Sequence, residues 1–302
     1  MLAIARLAMK GPIAAAASAT IYALLALAFA PFLVVSGGIV CLSGLRHGEI
    51  AAAKVAVIAA FVTGVFVFVF AAGSTLGLAL LATLLPLVAL ASTLRKTQNQ
   101  GLSLSFAAIF AFVYAIYMRI TIGDVDRYWS ERLNAFADAV AAQGGQFLPP
   151  ESLAQIASMM HASTILLAML FLSLSLLLGR WWQASIYNPD GFGKEFRGFV
   201  LPKAVMLTAA VIAIAYLATM NNGGGLSVVG DALVLVMTLF VFQGLAVVHH
   251  RAKERGLGSG LFVFGYLFLV FLPHIVGVML AFIGILDNVV DFRKLRVTET
   301  KN

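Results

Sequence analysis

Charge is scarce in this sequence: 11% of its 302 residues are Asp, Glu, Lys or Arg, against about 25% in an average soluble domain. Cysteine is scarcer still. Cys41 stands alone, so no intrachain disulfide forms and no metal site rests on several thiolates. Within an apolar run it reads as a small buried hydrophobe. Catalytic signatures are also missing. There is no Walker loop, no His-Glu-x-x-His, no Gly-x-Ser-x-Gly and no Cys/His metal spacing. The chain is therefore expected not to be an enzyme, to need no cofactor, to hold no metal and to hydrolyse no ATP by itself. The net charge of +7 is not arranged as a Lys/Arg stripe interleaved with aromatic residues, which argues against nucleic acid as a partner. No repeat of about 20–50 residues is visible, and one domain is expected over 1–302.

Hydrophobic residues make up 62% of the chain and the mean hydropathy is +1.00. One soluble core cannot hide that much apolar surface at this length. A bilayer can, given roughly 20 apolar residues per crossing helix. Eight segments qualify: 12–43, 51–72, 75–94, 102–120, 155–179, 204–220, 229–249 and 258–286. The fold class is thus all-α, a polytopic transmembrane helix bundle. The first and last segments are too long for one ordinary helix, and Pro31 and Pro273 are expected to break them. The start resembles a signal peptide, with Arg6 and Lys10 before an apolar stretch and Ala28-Phe29-Ala30 after it. Pro31 disfavours cleavage there, so an uncleaved first membrane segment is expected.

Charge bias orients the chain. The basic residues gather at Arg6/Lys10, Arg46/Lys54, Arg95/Lys96, the 180–203 loop, the 250–257 loop and the C-terminal tail. Only Arg119, Arg127 and Arg132 lie elsewhere, in a 119–154 connection that also carries Asp124, Asp126, Glu131, Asp138 and Glu151. All six basic groups share the cytoplasmic side if both end segments enter and return. The reading is a bacterial inner-membrane protein with cytoplasmic N and C termini. In the outer connection, Trp129, Leu133, Phe136 and Val140 are spaced by three and four, which predicts an amphipathic helix over 125–143. Gly144-Gly145 ends it.

Ionisable groups inside spans are costly and mark sites. His274 after Pro273 is the most deeply placed. His161 and Asp231 lie near span ends and are expected to face outer water. Beside Pro31, the run Ser36-Gly37-Gly38 loosens the first segment, and broken helices next to glycine are where transporters bind solutes. The ligand-binding candidates are therefore His274, Pro273, Ser36, Gly37 and His161. For helix packing, Ala15, Ala19 and Ala23 form a small-residue ladder, and Gly73 with Gly77 a second.

The most distinctive stretch is Gly179-Arg180-Trp181-Trp182-Gln183, continuing through Tyr187-Asn188-Pro189-Asp190-Gly191-Phe192 to Glu195-Phe196-Arg197. Trp and Tyr at a span end belong to an interface belt, and Arg180 reaches towards phosphates. Phe192, Phe196 and Phe199 give a short apolar edge among charges. Arg180, Trp181, Trp182, Tyr187, Phe192, Phe196 and Arg197 are thus expected to form a partner or membrane interface. This run, with Gly284-Ile285-Leu286-Asp287 and Asp291-Phe292-Arg293, resembles the YybS-like family of uncharacterised bacterial membrane proteins. That family is similar in fold to the S components of energy-coupling-factor transporters. The resemblance implies a solute-binding component that borrows an ATPase, with Ala15, Ala19 and Ala23 loosely matching the partner contact of S components. The expected partners are membrane lipids, a membrane or cytoplasmic protein and a small-molecule solute. The alternative is a non-transporting scaffold that recruits a protein through 180–203.

Overall fold

The computed structural model describes residues 1–71, 75–145, 147–220, 228–258, 260–290 and 292–293. Among the described residues it contains thirteen helices and no strand. Seven helices are long and apolar enough to cross a membrane: α4 (Glu49–Ala71), α5 (Leu76–Thr97), α6 (Gln100–Ile122), α8 (Pro150–Tyr187), α10 (Lys203–Met220), α11 (Val228–Glu254) and α13 (Pro273–Val290). The shorter elements are α1 (Leu2–Ala8), α2 (Pro12–Leu25), α3 (Phe32–His47), α7 (Val125–Ala142), α9 (Gly191–Arg197) and α12 (Gly260–Phe271). The expected polytopic helical architecture is what the chain adopts.

Both end segments break where proline predicts. Pro31 stands at the N-cap of α3 and Pro273 is the first residue of α13, positions where a missing N–H costs no helical bond. The first segment folds back on itself: α2 and α3 pack together, and Ser36 Oγ donates to the Ala19 carbonyl at 2.8 Å. The last segment also returns. His249 stacks on Phe262 of α12 at 4.3 Å, while Arg251 donates to the Phe292 carbonyl just beyond α13. Residues 262 and 292 thus meet the same end of α11.

Two compact units divide the chain. The first comprises Met1–Ala107, Leu170–Leu207 and Met237–Asn302. Its interior follows membrane logic, in which lipid solvates large apolar side chains and small residues let helices touch. Ala15, Ala19 and Ala23 are buried, while Phe61, Phe264 and Val278 face outwards. At the α3–α8 crossing, a methyl group on Gly179 would stand 2.7 Å from Cys41 Cβ and 2.9 Å from the Gly38 carbonyl oxygen. Cys41 is fully buried there. At the α11–α13 crossing, a methyl group on Gly284 would collide with the Phe240 carbonyl, and one on Gly244 with the Leu280 carbonyl. Gly77 packs on Gly64, where an added Cβ would lie 2.7 Å from Gly77 Cα. Gly73, its expected companion, lies outside the described residues.

The second unit comprises Ala108–Met169 and Thr208–Val236. It holds the amphipathic α7, whose N-cap Asp124 accepts a hydrogen bond from the Arg127 amide at 2.9 Å. Glu131 pairs with Arg127 one turn on, at 2.7 Å, and raises the guanidinium's pKa above its ordinary value. The pair is solvent-exposed and contributes little stability.

Two boundaries differ from expectation. The 155–179 segment is part of a 38-residue helix, α8, that starts at Pro150 and runs through the Trp-Trp run to Tyr187. No breaker interrupts it until Asn188-Pro189, and the residue before a proline is disfavoured in the helical region. The other is α1, whose seven residues carry too short a pattern to announce a helix.

Candidate functional site

Three ionisable side chains converge inside the second unit. Arg119 lies in the last turn of α6, His161 about three turns into α8, and Asp231 in the first turn of α11. Arg119 Nε donates to Asp231 Oδ2 at 2.6 Å and its NH2 to Oδ1 at 3.0 Å, a bidentate fork. His161 Nε2 sits 3.3 Å from the same Oδ2. The side chains of Asp231 and His161 are 1% and 2% exposed and that of Arg119 is 19% exposed.

This placement corrects the expectation that His161 and Asp231 face water: both are buried. The reason is mutual. The Asp231 charge is tolerated away from water because Arg119 neutralises it through two hydrogen bonds. The carboxylate then fixes the imidazole: with Nε2–H donating to Oδ2, Nδ1 presents a lone pair. That Nδ1 is buried and has no hydrogen-bond partner among the described residues. In the sequence Arg119 is one charge of the 119–154 connection. Three single residues near span ends share no spacing, so no local pattern joins them.

The first unit holds a different polar cluster, centred on a carboxylate that accepts three hydrogen bonds. Asp287 accepts from Gln243 Nε2 at 2.9 Å, Arg293 NH2 at 2.8 Å and the Phe292 amide at 3.1 Å. Gln243 Oε1 accepts from the Leu201 amide at 3.1 Å and Asn288 Nδ2 at 3.3 Å. Arg293 also donates to the Phe199 carbonyl at 2.6 Å. The network ties the chain after α9 to the end of α13, a structural pin.

Beside the Pro31 break lies an apolar groove of about 720 Å³, lined by residues of α1, α2, the 26–31 connection, α3, α8 and α9 that include Ile4, Tyr22, Phe29, Phe32, Leu174 and Trp181. Ser36 and Gly37 are buried in α3, outside its lining. Pro273 and His274 open α13 on an exposed face and join neither the groove nor the ionic cluster. His274, expected to be the most deeply placed ionisable group, is thus at the surface of the helix bundle.

The 180–203 stretch is largely folded into its own chain. Arg180, expected to reach phosphates, forms a fork with Glu195, one arm at 2.9 Å, and also donates to Gln183 Oε1 at 2.9 Å. Gln183 in turn donates to the Leu45 carbonyl at 3.2 Å. Trp182, expected in the interface belt, is fully buried, and a methyl on Gly38 would stand 3.1 Å from its ring. Trp181, Phe192, Phe196 and Arg197 are half-buried, with Phe192 stacked on Phe196 at 6.0 Å. Tyr187 is exposed and carries the Arg46 guanidinium 4.3 Å above its ring.

No curated protein and no solved structure matches the chain. Residues 13–288, nearly its whole length, match the family described as "Predicted membrane protein (DUF2232)", and this helical membrane protein belongs to that family.

Proposed function

We propose that this chain is a transport-related, small-solute-binding component of a bacterial inner membrane, with cytoplasmic termini and no catalytic activity of its own. The observation that supports the reading is the Arg119–Asp231–His161 cluster. Ionisable groups inside membrane helices are expensive, and by default they mark substrate or proton paths. The Asp287 carboxylate accepts three hydrogen bonds within its own unit and reads as structural; in the Arg119 cluster the buried His161 Nδ1 has no hydrogen-bond partner among the described residues. A solute offering an N–H or O–H donor matches that lone pair.

The resemblance to YybS-like proteins and S components points the same way, towards a binding protein energised by a partner. The Ala15, Ala19 and Ala23 ladder is buried within its own unit, so contact with such a partner falls to another face.

The test is to purify the full chain from membranes and identify small molecules released on denaturation by mass spectrometry. A compound released near one per chain by the wild type, and lost in His161→Ala with the fold intact, supports the proposal. Equal release by both proteins, or none by either, overturns it.

A further inference from the structure

We propose that the groove beside Pro31 is a binding site for one anionic phospholipid, with an acyl chain in the groove and the phosphate held by basic residues of α1 and α9. The inference is independent of the solute site.

The wall chemistry selects the occupant. Among the lining side chains, only Tyr22 and Trp181 carry polar ends; the others include Val34, Leu174, Leu178 and Phe192. Apolar space of about 720 Å³ is a poor host for water, which needs two or more polar partners per molecule. In a bilayer the abundant apolar molecule is an acyl chain. The Tyr22 hydroxyl and the Trp181 indole N–H are the amphipathic tips that sit at lipid ester and headgroup level.

Charge selects the headgroup. The helices that supply Ile4 and Phe192 to the groove continue into exposed cations: Arg6 on α1, Lys10 just after it, and Lys194 on α9. Few acids oppose them. The first acidic residue of the chain is Glu49, and Glu195 on α9 is already forked by Arg180. Asp190 is the one exposed acid next to α9 among the described residues. A phosphate with net negative charge is favoured there, and a zwitterionic headgroup gains much less.

Native mass spectrometry of the full chain, titrated with phosphatidylglycerol or phosphatidylcholine of identical chains, tests this. The expected result is one tightly held phosphatidylglycerol per chain, bound about tenfold more strongly than phosphatidylcholine. Leu174→Trp, which fills the groove from a partly exposed position, should abolish the tight adduct. The combined Arg6→Gln, Lys10→Gln and Lys194→Gln variant changes exposed side chains only, so its fold is preserved. It should still take one lipid but lose the preference. Equal binding of both lipids by the wild type, or an unchanged preference in the charge variant, overturns the proposal. So does an unchanged adduct in a folded Leu174→Trp protein.

Discussion

His161 and Asp231 stand 70 residues apart in sequence, yet His161 Nε2 lies 3.3 Å from Asp231 Oδ2, with both side chains shielded from water. The carboxylate is shared with Arg119, so three helices depend on one buried charge pair.

Removing either partner of that pair should destabilise more than removing both. Asp231→Leu takes away the guanidinium's bidentate acceptor and Arg119→Leu takes away the carboxylate's cation, each costing about 3 kcal/mol. The double variant Arg119→Leu/Asp231→Leu should cost clearly less than the sum. Thermal unfolding in one detergent, analysed as a double-mutant cycle, measures the difference; strict additivity would show that the two side chains do not interact.

Gly284 and Phe240 make the second testable contact. Because a Cβ at 284 meets the Phe240 carbonyl, Gly284→Val should force α11 and α13 apart. A cost of about 1–3 kcal/mol is expected from overpacking. Gly277→Val, on the same helix with open space at its Cβ, is the control and should lower the melting temperature far less.

Asp287 should behave as a structural residue. Asp287→Ala leaves Gln243 Nε2, Arg293 NH2 and the Phe292 amide without their shared acceptor, at a cost of about 2–4 kcal/mol. The signature is early proteolysis of the C-terminal end, near Arg293, with release of any bound solute unchanged in the surviving folded fraction. Loss of solute without loss of stability would place Asp287 in a binding role instead.

Cys41 offers a probe of the α3–α8 crossing. Its side chain is fully buried against Gly179, so a membrane-permeant maleimide should label it slowly in the native chain and at once after denaturation. Gly179→Ala should speed native labelling by at least about tenfold through local opening. Fast labelling of the wild type would contradict the crossing.

The segment just after 179–197 is tied to the 284–293 stretch. Arg293 donates to the Phe199 carbonyl, and Gln243 bridges the Leu201 amide to Asp287. Arg180 and Trp182, expected at an interface, are held separately: Arg180 by Glu195 and Gln183, Trp182 by burial against α3 at Gly38.

The sequence by itself determined the solvent, the helix class, the break points at Pro31 and Pro273 and the amphipathic α7. These follow from hydropathy over about 20 residues, proline's missing N–H and a three-to-four spacing, all local properties. Only the tertiary structure decided which isolated polar residues meet. Arg119, His161 and Asp231 sit on three separate helices, and no local rule relates their spacings. It also decided which tryptophan is core: Trp181 and Trp182 are neighbours with the same composition around them, but a step of about 100° around the helix turns Trp182 onto Gly38 and Trp181 into the groove.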